Sequence, residues 1–368
     1  MTKRVLLVFG TRPEGIKMCP LVNELKAHPE FEVLVCDTGQ HREMLKQVLD
    51  VFQVVPDFNL EIMKPGQTLF DITSDVMVRC KAVFEDVRPD IVLVHGDTST
   101  SFAAALAAFY LHIPVGHVEA GLRTYDTHSP WPEEFNRQAV DSLSDLYFAP
   151  TEVSRKNLCS EGKDSSRVFV TGNTGIDALR TTVKTDYYHP ILDWASGSRL
   201  ILLTAHRREN LGAPMHNMFR AIRRVLDEHD DVKAVFPVHL NPAVRDVASE
   251  MFEGCDRIRL IDPLDVFAFH NFLARCHSVL TDSGGIQEEA PGLGKPVLVM
   301  RDTTERPEGI DAGTLKLAGT SEESIYRAFT DLLDNEAMYE AMSSASNPYG
   351  DGHASERIAD VLRGYLAL

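Results

Sequence analysis

The sequence is poor in cysteine and has no cysteine pair at short spacing. Only six of its 368 residues are cysteine, and they lie far apart. Structural zinc sites and disulfide frameworks need cysteines that recur at short, regular spacings. Neither kind of site is indicated, and we expect the thiols to be small core residues. They are Cys19, Cys36, Cys80, Cys159, Cys255 and Cys276.

Positive charge is also scarce. Lys and Arg number 37 against 54 Asp and Glu, which gives a formal net charge of -17. A chain this acidic repels nucleic acid and anionic membrane surfaces. We therefore predict neither as a partner, and any anionic ligand must be held by cations placed around it.

Long apolar runs and dinucleotide motifs are missing as well. No stretch approaches the length of a membrane span, and the apolar run after Arg4 is too short for a secretory signal. We therefore expect a cytoplasmic protein. No G-x-G-x-x-G follows a predicted strand, so nothing suggests a nicotinamide or flavin cofactor. We expect the reaction to need no cofactor.

The sequence does contain a regular alternation of apolar runs and amphipathic stretches. With 44% hydrophobic residues, the chain can form two domains with cores of their own. The alternation predicts parallel α/β sheets. It breaks at 185–198, which is typical of a linker, and restarts at Leu200. We predict an α/β protein of two Rossmann-like doubly wound domains facing a central cleft, 1–184 and 185–353, with the last helix, 354–368, packing back on the first.

The stretch D-S-G-G-I-Q-E-E predicts a strand end, a glycine turn and a short helix. Ser283, Gly284 and Gly285 open the helix, and the free N–H groups of a helix start can bind phosphate. Glu289 lies about a turn and a half further along, where its carboxylate can accept hydrogen bonds from a ribose. Together they suggest a nucleotide diphosphate. An ordinary helix start, with Ser283 as cap and Glu289 complementing the dipole, fits these residues equally well.

Two predicted strand ends carry a histidine and an acid two residues apart, in H-G-D-T and H-V-E. Residues two apart point to one side of a strand, so Asp97 and Glu119 both face the mouth of the sheet. A buried acid must be partnered, which makes Glu119 the more informative. Asp97 can instead cap the helix that begins near Thr98. With His95 and His117, the two acids also suggest a metal site, a rival interpretation.

Other candidate residues lie near helix starts and strand ends. Glu133 and Arg137 are four apart, which by itself predicts an ordinary ion pair on one helix face. His206 and Arg207 follow a predicted strand and suit a diphosphate. His239 follows another strand and is equally compatible with a structural role.

Arg12 and Lys17 lie near the start of the first predicted helix, after the capping-box pattern T-R-P-E. Both can bind phosphate there. Taken alone, they favour the interpretation of two solvated surface cations.

These motifs together resemble a known family. They are G-T-R-P-E, D-T-G-Q-H, V-H-G-D-T, H-V-E-A-G-L-R, P-W-P-E-E-x-N-R, H-R-R-E-N, D-S-G-G-I-Q-E-E-A and R-x-T-T-E-R-P-E-G. The chain resembles the non-hydrolysing UDP-N-acetylglucosamine 2-epimerases of bacteria from Gly10 to the N-P-Y-G-D-G segment at 347–352. The resemblance implies a glycosyltransferase-B-like architecture and the interconversion of UDP-N-acetylglucosamine and UDP-N-acetylmannosamine, a precursor of surface polysaccharide, without metal or redox cofactor. It implies anti elimination of UDP to 2-acetamidoglucal, then re-addition with protonation on the opposite face.

The resemblance also implies roles for individual residues. Asp97, Glu119 and Glu133 are the implied catalytic carboxylates, and His206 assists the departing diphosphate. The implied substrate-binding residues are Arg12, Lys17, Arg137, His239, Phe269, Ser283, Gly284, Gly285, Glu289 and Arg306. A homodimer and a second UDP-N-acetylglucosamine molecule bound as activator are implied too. The candidate contacts of that activator are Gln40, His41, Glu43, Gln67 and Arg207.

Three alternatives stay open. A hydrolysing epimerase releases UDP and free N-acetylmannosamine. A metal-dependent phosphohydrolase would be built on His95, Asp97, His117 and Glu119. A non-catalytic module would bind sugar nucleotides without proton exchange at C2.

Overall fold

The structure, a computed structural model, describes residues 2–40, 42–207 and 210–367. The chain forms two units, Met1–Thr181 with Tyr349–Leu368, and Thr182–Pro348. The first unit is thus made from two separate stretches of sequence, and the second from one. In the parts of the chain that the structure describes, no helix combines the length and the apolar composition needed to cross a bilayer.

The first unit is a parallel sheet, with seven strands in the described chain, flanked by helices. Its strands are β1 (Lys3–Phe9), β2 (Phe31–Asp37), β3 (Phe58–Asn59), β4 (Ile91–His95), β5 (Val115–Val118), β6 (Leu146–Ala149) and β7 (Val168–Val170). Its helices are α1 (Arg12–Lys26), α2 (Arg42–Phe52), α3 (Leu69–Val87), α4 (Ser99–Tyr110), α5 (Glu133–Leu143), α6 (Glu152–Ser160), α7 (Thr174–Thr182) and, from the end of the chain, α16 (Ala354–Tyr365). The strand order is β3-β2-β1-β4-β5-β6-β7.

The second unit has the same plan, with six parallel strands among its described residues. They are β8 (Arg199–Thr204), β9 (Val232–Pro237), β10 (Ile258–Ile261), β11 (Ser278–Thr281), β12 (Val297–Val299) and β13 (Leu315–Leu317). The helices are α8 (Pro190–Trp194), α9 (Ala213–Glu228), α10 (Pro242–Met251), α11 (Val266–Arg275), α12 (Gly284–Glu289), α13 (Pro307–Asp311), α14 (Glu322–Asp334) and α15 (Glu336–Ser344). The strand order is β10-β9-β8-β11-β12-β13.

Both sheets reverse their strand order once, at β1 and β4 in the first unit and at β8 and β11 in the second. This order is that of a Rossmann-like sheet, and ligands bind at the carboxyl ends of the two strands that flank such a switch point. The prediction of two Rossmann-like doubly wound units is confirmed.

Local sequence explains why β1 and α1 form where they do. From Val5 to Phe9 every residue of β1 is fully buried, as expected of a parallel strand covered on both faces. The turn that follows has a complete capping box, in which Thr11 and Glu14 each accept the other's backbone N–H. Pro lies in the first turn of the helix, which favours a helix start at this point. The predicted capping box is confirmed.

The prediction of an irregular linker at 185–198 was wrong. This segment contains the short helix α8 and packs against the core of the second unit through Tyr187, Ile191, Leu192 and Trp194. Its apolar residues are too few to show a helical period, yet they are enough to bury one helical turn. The segment is therefore part of the second unit.

Helix α16 belongs to the first unit. The Asp177 carboxylate accepts the N–H groups of Ala354 at 3.1 Å and of Ser355 at 2.6 Å, which satisfies the start of the helix. Near its other end, Arg363 Nε donates to Glu30 Oε1 over 2.9 Å. Both ends of α16 are thus tied to residues from the first 181 of the chain.

The cysteines are free thiols in the structure. Cys19, Cys36, Cys80 and Cys276 are buried, as expected of small core residues, whereas Cys159 and Cys255 are only half-buried.

We predict that Gly10→Ala destabilises the protein by about 1–3 kcal/mol, the usual range for overpacking. Gly10 follows β1, and a Cβ there would lie 1.8 Å from Thr38 Oγ1 and 3.2 Å from Thr100 Oγ1. The measurement is urea unfolding followed by circular dichroism. Thr38→Ala should restore most of the lost stability in the double variant. A double variant no more stable than Gly10→Ala alone would show that this contact is not the cause.

Candidate active site

Arg12 and Asp97 follow the two strands that flank the switch point of the first sheet. Strand β1 ends at Phe9 and α1 begins at Arg12, while Asp97 comes two residues after β4 ends at His95. Glu119 directly follows the next strand, β5. The predicted acids of the first unit therefore lie on neighbouring strand ends, at the edge where doubly wound sheets bind ligands.

Glu119 has a backbone conformation that is rare outside glycine. Its φ is +67°, which costs a non-glycine residue on the order of 1–3 kcal/mol. The carboxylate is only 11% exposed and forms a close ion pair with Lys17. Asn173 Nδ2 donates to the same oxygen over 3.1 Å, and His95 Nε2 lies 3.6 Å from it. Glu119 is thus held in place by three side chains.

The environment of Glu119 keeps it ionised. Burial favours the neutral acid, but the positive charge of Lys17 and the nearby ring of His95 outweigh burial and hold the pKa of Glu119 well below its usual range. Lys17, which the resemblance assigns to substrate binding, contacts Glu119 in the structure.

Asp97 is an ion-pair partner rather than a helix cap. Its carboxylate contacts the guanidinium of Arg137, with Nε at 3.2 Å from Oδ2. Asn136 Nδ2 donates to the Asp97 carbonyl over 2.9 Å. Helix α4 is capped by Thr98, whose side chain accepts the N–H of Ser101. The cap interpretation of Asp97 was wrong because the next residue already supplies the capping oxygen.

Arg137 pairs with Glu134 and not with Glu133. Its Nη1 lies 2.9 Å from Glu134 Oε2, and the buried Glu134 carboxylate also accepts the N–H groups of Thr124 and Tyr125, each over 3.0 Å. The spacing-based ion pair with Glu133 was therefore wrong, since the chain offers Arg137 an acid three residues back as well as four. Glu133 is half-buried, and among the described residues its side chain makes no recorded hydrogen bond or ion pair.

His117 and Asp141 form a buried pair behind the turn after β4. His117 Nδ1 lies 2.6 Å from Asp141 Oδ1, and Nε2 lies 2.8 Å from the carbonyl oxygen of Gly96. Both ring nitrogens of His117 therefore face hydrogen-bond acceptors. Burial opposes the charge of Asp141, but His117 and then Arg123 lower its pKa. Sequence reasoning missed Asp141, which lies 24 residues from its partner.

Three of the four residues of the metal interpretation contact partners outside that set, and only His95 and Glu119 lie against each other. Both ring nitrogens of His117 are engaged, Asp97 contacts Arg137, and Glu119 contacts Lys17. Within the described ranges, no group of three or more His, Cys, Asp or Glu side chains is arranged to hold a metal ion. The geometry does not favour the phosphohydrolase alternative.

Glu14 joins the turns that follow β1 and β4. Its Oε2 accepts the N–H groups of Gly10 at 3.0 Å and Thr11 at 2.8 Å. Its Oε1 accepts the hydroxyls of Thr98 at 2.6 Å and Ser101 at 2.9 Å. Only 1% of Glu14 is exposed, so this carboxylate is satisfied entirely by the two turns that carry Arg12 and Asp97.

Asp282 has the same role in the second unit. Its fully buried carboxylate accepts the N–H groups of His206 and Arg207, each at 2.9 Å, and the amide of Asn210 at 3.0 Å. Asp282 follows β11, and His206 follows β8. One acid, which sequence reasoning missed, therefore joins the two turns at the second switch point.

His206 and His239 stack, with ring centroids 5.6 Å apart and an interplanar angle of 13°. Burial is the largest effect on the pKa of His206 and lowers it. The charge of Asp282 opposes this shift, whereas His239 and Arg207 lower the pKa further. The net shift favours the neutral imidazole of His206.

The turn after β11 begins α12 as predicted. Ser283 occupies the capping position, but its side chain makes no capping hydrogen bond, so the alternative of an ordinary serine cap was wrong. A Cβ on Gly284 would lie 2.8 Å from Arg306 Nη1. The guanidinium of Arg306 therefore packs directly over the glycine turn.

The residues predicted to bind the nucleoside, Glu289 and Phe269, lie on α12 and α11. Glu289, whose side chain is 14% exposed, ends α12 with Oε2 3.6 Å from His270 Nε2. His270 Nδ1 is in turn 2.7 Å from the hydroxyl of Thr182. Phe269 is half-buried against the core of the second unit, where it helps to fix α11.

The predicted activator contacts are mostly engaged within their own units. Gln40 Oε1 accepts the Thr100 hydroxyl over 2.8 Å, and Gln67 Nε2 donates to the Ile62 carbonyl over 2.6 Å. Glu43 is exposed on α2. Arg207 contacts Glu305, and His41 lies outside the described residues.

Comparison with known proteins identifies the family of this chain. A family model described as UDP-N-acetylglucosamine 2-epimerase matches residues 23–363. The chain belongs to this family. The prediction from the sequence motifs is thus confirmed at the level of the UDP-N-acetylglucosamine 2-epimerases.

Relatives of this epimerase family match over almost their whole length. The chain is 61% identical over 359 residues to the UDP-N-acetylglucosamine 2-epimerase of Bacillus subtilis (strain 168), with 98% of this chain and 94% of that protein covered. Its fold is similar to that of the S. aureus MnaA–UDP co-structure, with a TM-score of 0.92 and 54% identity. The match covers 100% of this chain and 98% of the S. aureus chain. It is also similar to the UDP-GlcNAc 2-epimerase from Neisseria meningitidis bound to UDP-GlcNAc, with a TM-score of 0.90 and 48% identity. This match covers 98% of this chain and 100% of the N. meningitidis chain.

We predict that the pKa of His206 can be moved in both directions. His239→Ala should raise it, because it removes a neighbouring ring that buries and repels the imidazolium. Asp282→Asn should lower it, because it removes the negative charge that favours the imidazolium. The measurement is an NMR titration of the histidine ring protons. His277, whose burial lowers its pKa to about 4, is the internal reference. Shifts of the same sign in both variants would contradict this account.

Proposed function

We propose that the protein interconverts UDP-N-acetylglucosamine and UDP-N-acetylmannosamine without hydrolysis. The observation that carries this proposal is the pair of acids on neighbouring strand ends of the first unit, each paired with its own cation, in a chain of the epimerase family. Asp97 pairs with Arg137, and Glu119 with Lys17. The UDP in the similar S. aureus structure and the UDP-GlcNAc in the similar N. meningitidis structure support the substrate class.

The reaction needs acids on separate elements. The C2–H bond breaks as its proton passes to a carboxylate, and its electron pair forms the C1=C2 double bond of 2-acetamidoglucal. The C1–O bond breaks with its electron pair leaving on UDP. In the return step a diphosphate oxygen of UDP attacks C1, and C2 takes a proton on the other face. Because C2–H is weakly acidic, a positioned base and a stabilised leaving group are both required.

We assign the acids the roles that the family resemblance implies. Asp97, in the turn after β4, and Glu133, on helix α5, exchange the proton at C2 on opposite faces. Glu119, already bonded to Lys17 and Asn173, supports the site through its fixed negative charge.

The second unit holds UDP in this proposal. His206 meets the departing diphosphate, together with the turn from Ser283 to Gly285 and the guanidinium of Arg306. Glu289 accepts hydrogen bonds from the ribose, and Phe269 contributes to the uracil pocket. Cations and backbone N–H groups suit a diphosphate, whose charge they stabilise at bond breaking.

A homodimer and an activating second UDP-N-acetylglucosamine remain part of the proposal. Exposed apolar side chains on α3 and α4, among them Phe70 at 86% and Tyr110 at 64% exposure, support a partner surface on the first unit. The activator would contact Gln40, Gln67 and Arg207, and Glu43 from the exposed face of α2.

Heavy water tests the proposed reaction. Incubation with UDP-N-acetylglucosamine in D₂O should give UDP-N-acetylmannosamine, with deuterium at C2 of both epimers. Both the epimer and the deuterium are measured by NMR. An unlabelled epimer would contradict proton exchange at C2. Free N-acetylmannosamine as the main product would identify the hydrolysing reaction instead, and UDP binding without epimerisation would identify a binding module.

We predict that Asp97→Asn lowers kcat by roughly 10²–10⁴-fold, the usual contribution of a general acid or base. The fold should persist, because Arg137 keeps its ion pair with Glu134. Turnover and C2 deuterium exchange are measured alongside thermal unfolding. Glu85→Gln is the matched control, since it removes an exposed acid of the same unit paired with Lys81. Equal losses of activity in both variants, or unfolding of Asp97→Asn, would contradict the role of Asp97.

A further inference from the structure

Three arginines of the second unit converge on one carboxylate. Glu305 Oε1 lies 3.1 Å from Arg207 Nη2 and 2.8 Å from Arg306 Nη1. Its Oε2 lies 2.8 Å from Arg301 Nη1. Arg306 has a second acid, Glu288, at 2.8 Å from its Nε. We define these three side chains, Arg207, Arg301 and Arg306, as the arginine cluster.

The two acids of the cluster differ in their access to solvent. The Glu305 side chain is 34% exposed, whereas that of Glu288 is 5% exposed. Glu288 is therefore a fixed part of the core, but Glu305 can rotate into solvent. The backbone beside it is anchored separately, because the Thr304 hydroxyl donates to Gln287 Oε1 over 2.6 Å and accepts the N–H of Arg306 over 3.2 Å. Glu305 can leave the cluster without unfolding of its loop.

The arginine cluster lies at the turns of the second switch point. Arg207 is in the turn after β8, where Asp282 holds its N–H. Arg306 packs over Gly284 in the turn after β11. A carboxylate offers guanidinium groups the same paired oxygens as a phosphate does. Glu305 thus occupies the position of an anionic ligand group.

Protonation does not release Glu305 at neutral pH. Burial opposes its charge, but Arg306, Arg301 and Arg207 outweigh burial and lower the pKa of Glu305 to about 2. Only a competing anion can therefore take its place on the arginines.

We propose that Glu305 is an internal counter-ion that sets the affinity of the second unit for diphosphates, because the diphosphate of the ligand must displace it from Arg207, Arg301 and Arg306. This inference rests on the proposed function, in which the second unit binds UDP. The displaced carboxylate returns to the arginines when the diphosphate leaves, so Glu305 weakens binding and assists release.

The test is the affinity of the full-length Glu305→Gln variant, measured by calorimetry with UDP, inorganic pyrophosphate and uridine. Glutamine keeps the size of the side chain and removes the competing charge. UDP and pyrophosphate should each bind about tenfold more tightly, a change of about 1.4 kcal/mol, with a steeper dependence on salt. Uridine, which has no phosphate, should bind with unchanged affinity.

A matched control separates this effect from overall charge. Glu323→Gln removes an exposed acid of the same unit that pairs with Arg327, and its affinities should stay within about twofold of the parent, since exposed pairs contribute little. Circular dichroism confirms that both variants are folded.

The outcomes distinguish the two proposals. Failure of the parent protein to bind UDP would overturn the proposed function. Unchanged or weaker pyrophosphate binding by Glu305→Gln would overturn the counter-ion role, as would an equal gain for uridine or in Glu323→Gln.

Discussion

A buried carboxylate joins the two strand-end turns at the switch point of each sheet. In the first unit Glu14 joins the turns after β1 and β4, and in the second unit Asp282 joins those after β8 and β11. Such a charge is tolerable inside a protein only when N–H and O–H donors surround it, since an uncompensated one costs several kcal/mol. The turns must therefore keep positions that satisfy the acid.

This constraint positions the residues that we propose for the reaction. Arg12 and Asp97 are carried by the turns that Glu14 joins, and His206 and Ser283 by those that Asp282 joins. A group fixed before the substrate arrives loses little entropy in the reaction, which is a large part of how enzymes lower barriers. Backbone strain at Glu119 fits the same pattern, because an ion pair and a hydrogen bond hold the residue in a conformation that it would otherwise leave.

The sequence was sufficient for the fold and for the edge of each sheet where the candidate residues lie. Apolar periods and the capping box at Thr11 are local signals, and the strand ends could be read from them. The contacts of the supporting acids Glu14 and Asp282 could not be predicted in this way, because their partners are distant in sequence. Glu14 and Thr98 are 84 residues apart, and His206 and Asp282 are 76 residues apart. The spacing of residues within helix α5 also gave a wrong prediction, because Arg137 forms its ion pair with Glu134 and not with Glu133. The roles of the candidate residues remain predictions.

The discontinuous first unit has a consequence for how the protein is made. Helix α16 contacts Asp177 and Glu30, yet it follows the whole second unit in the sequence. A ribosome must release the second unit before it can supply the last piece of the first. The second unit can thus begin to fold before α16 has been synthesised, whereas the first unit lacks this helix until then. Until then the apolar residues of α1 that α16 contacts are left uncovered, and exposed apolar surface favours aggregation.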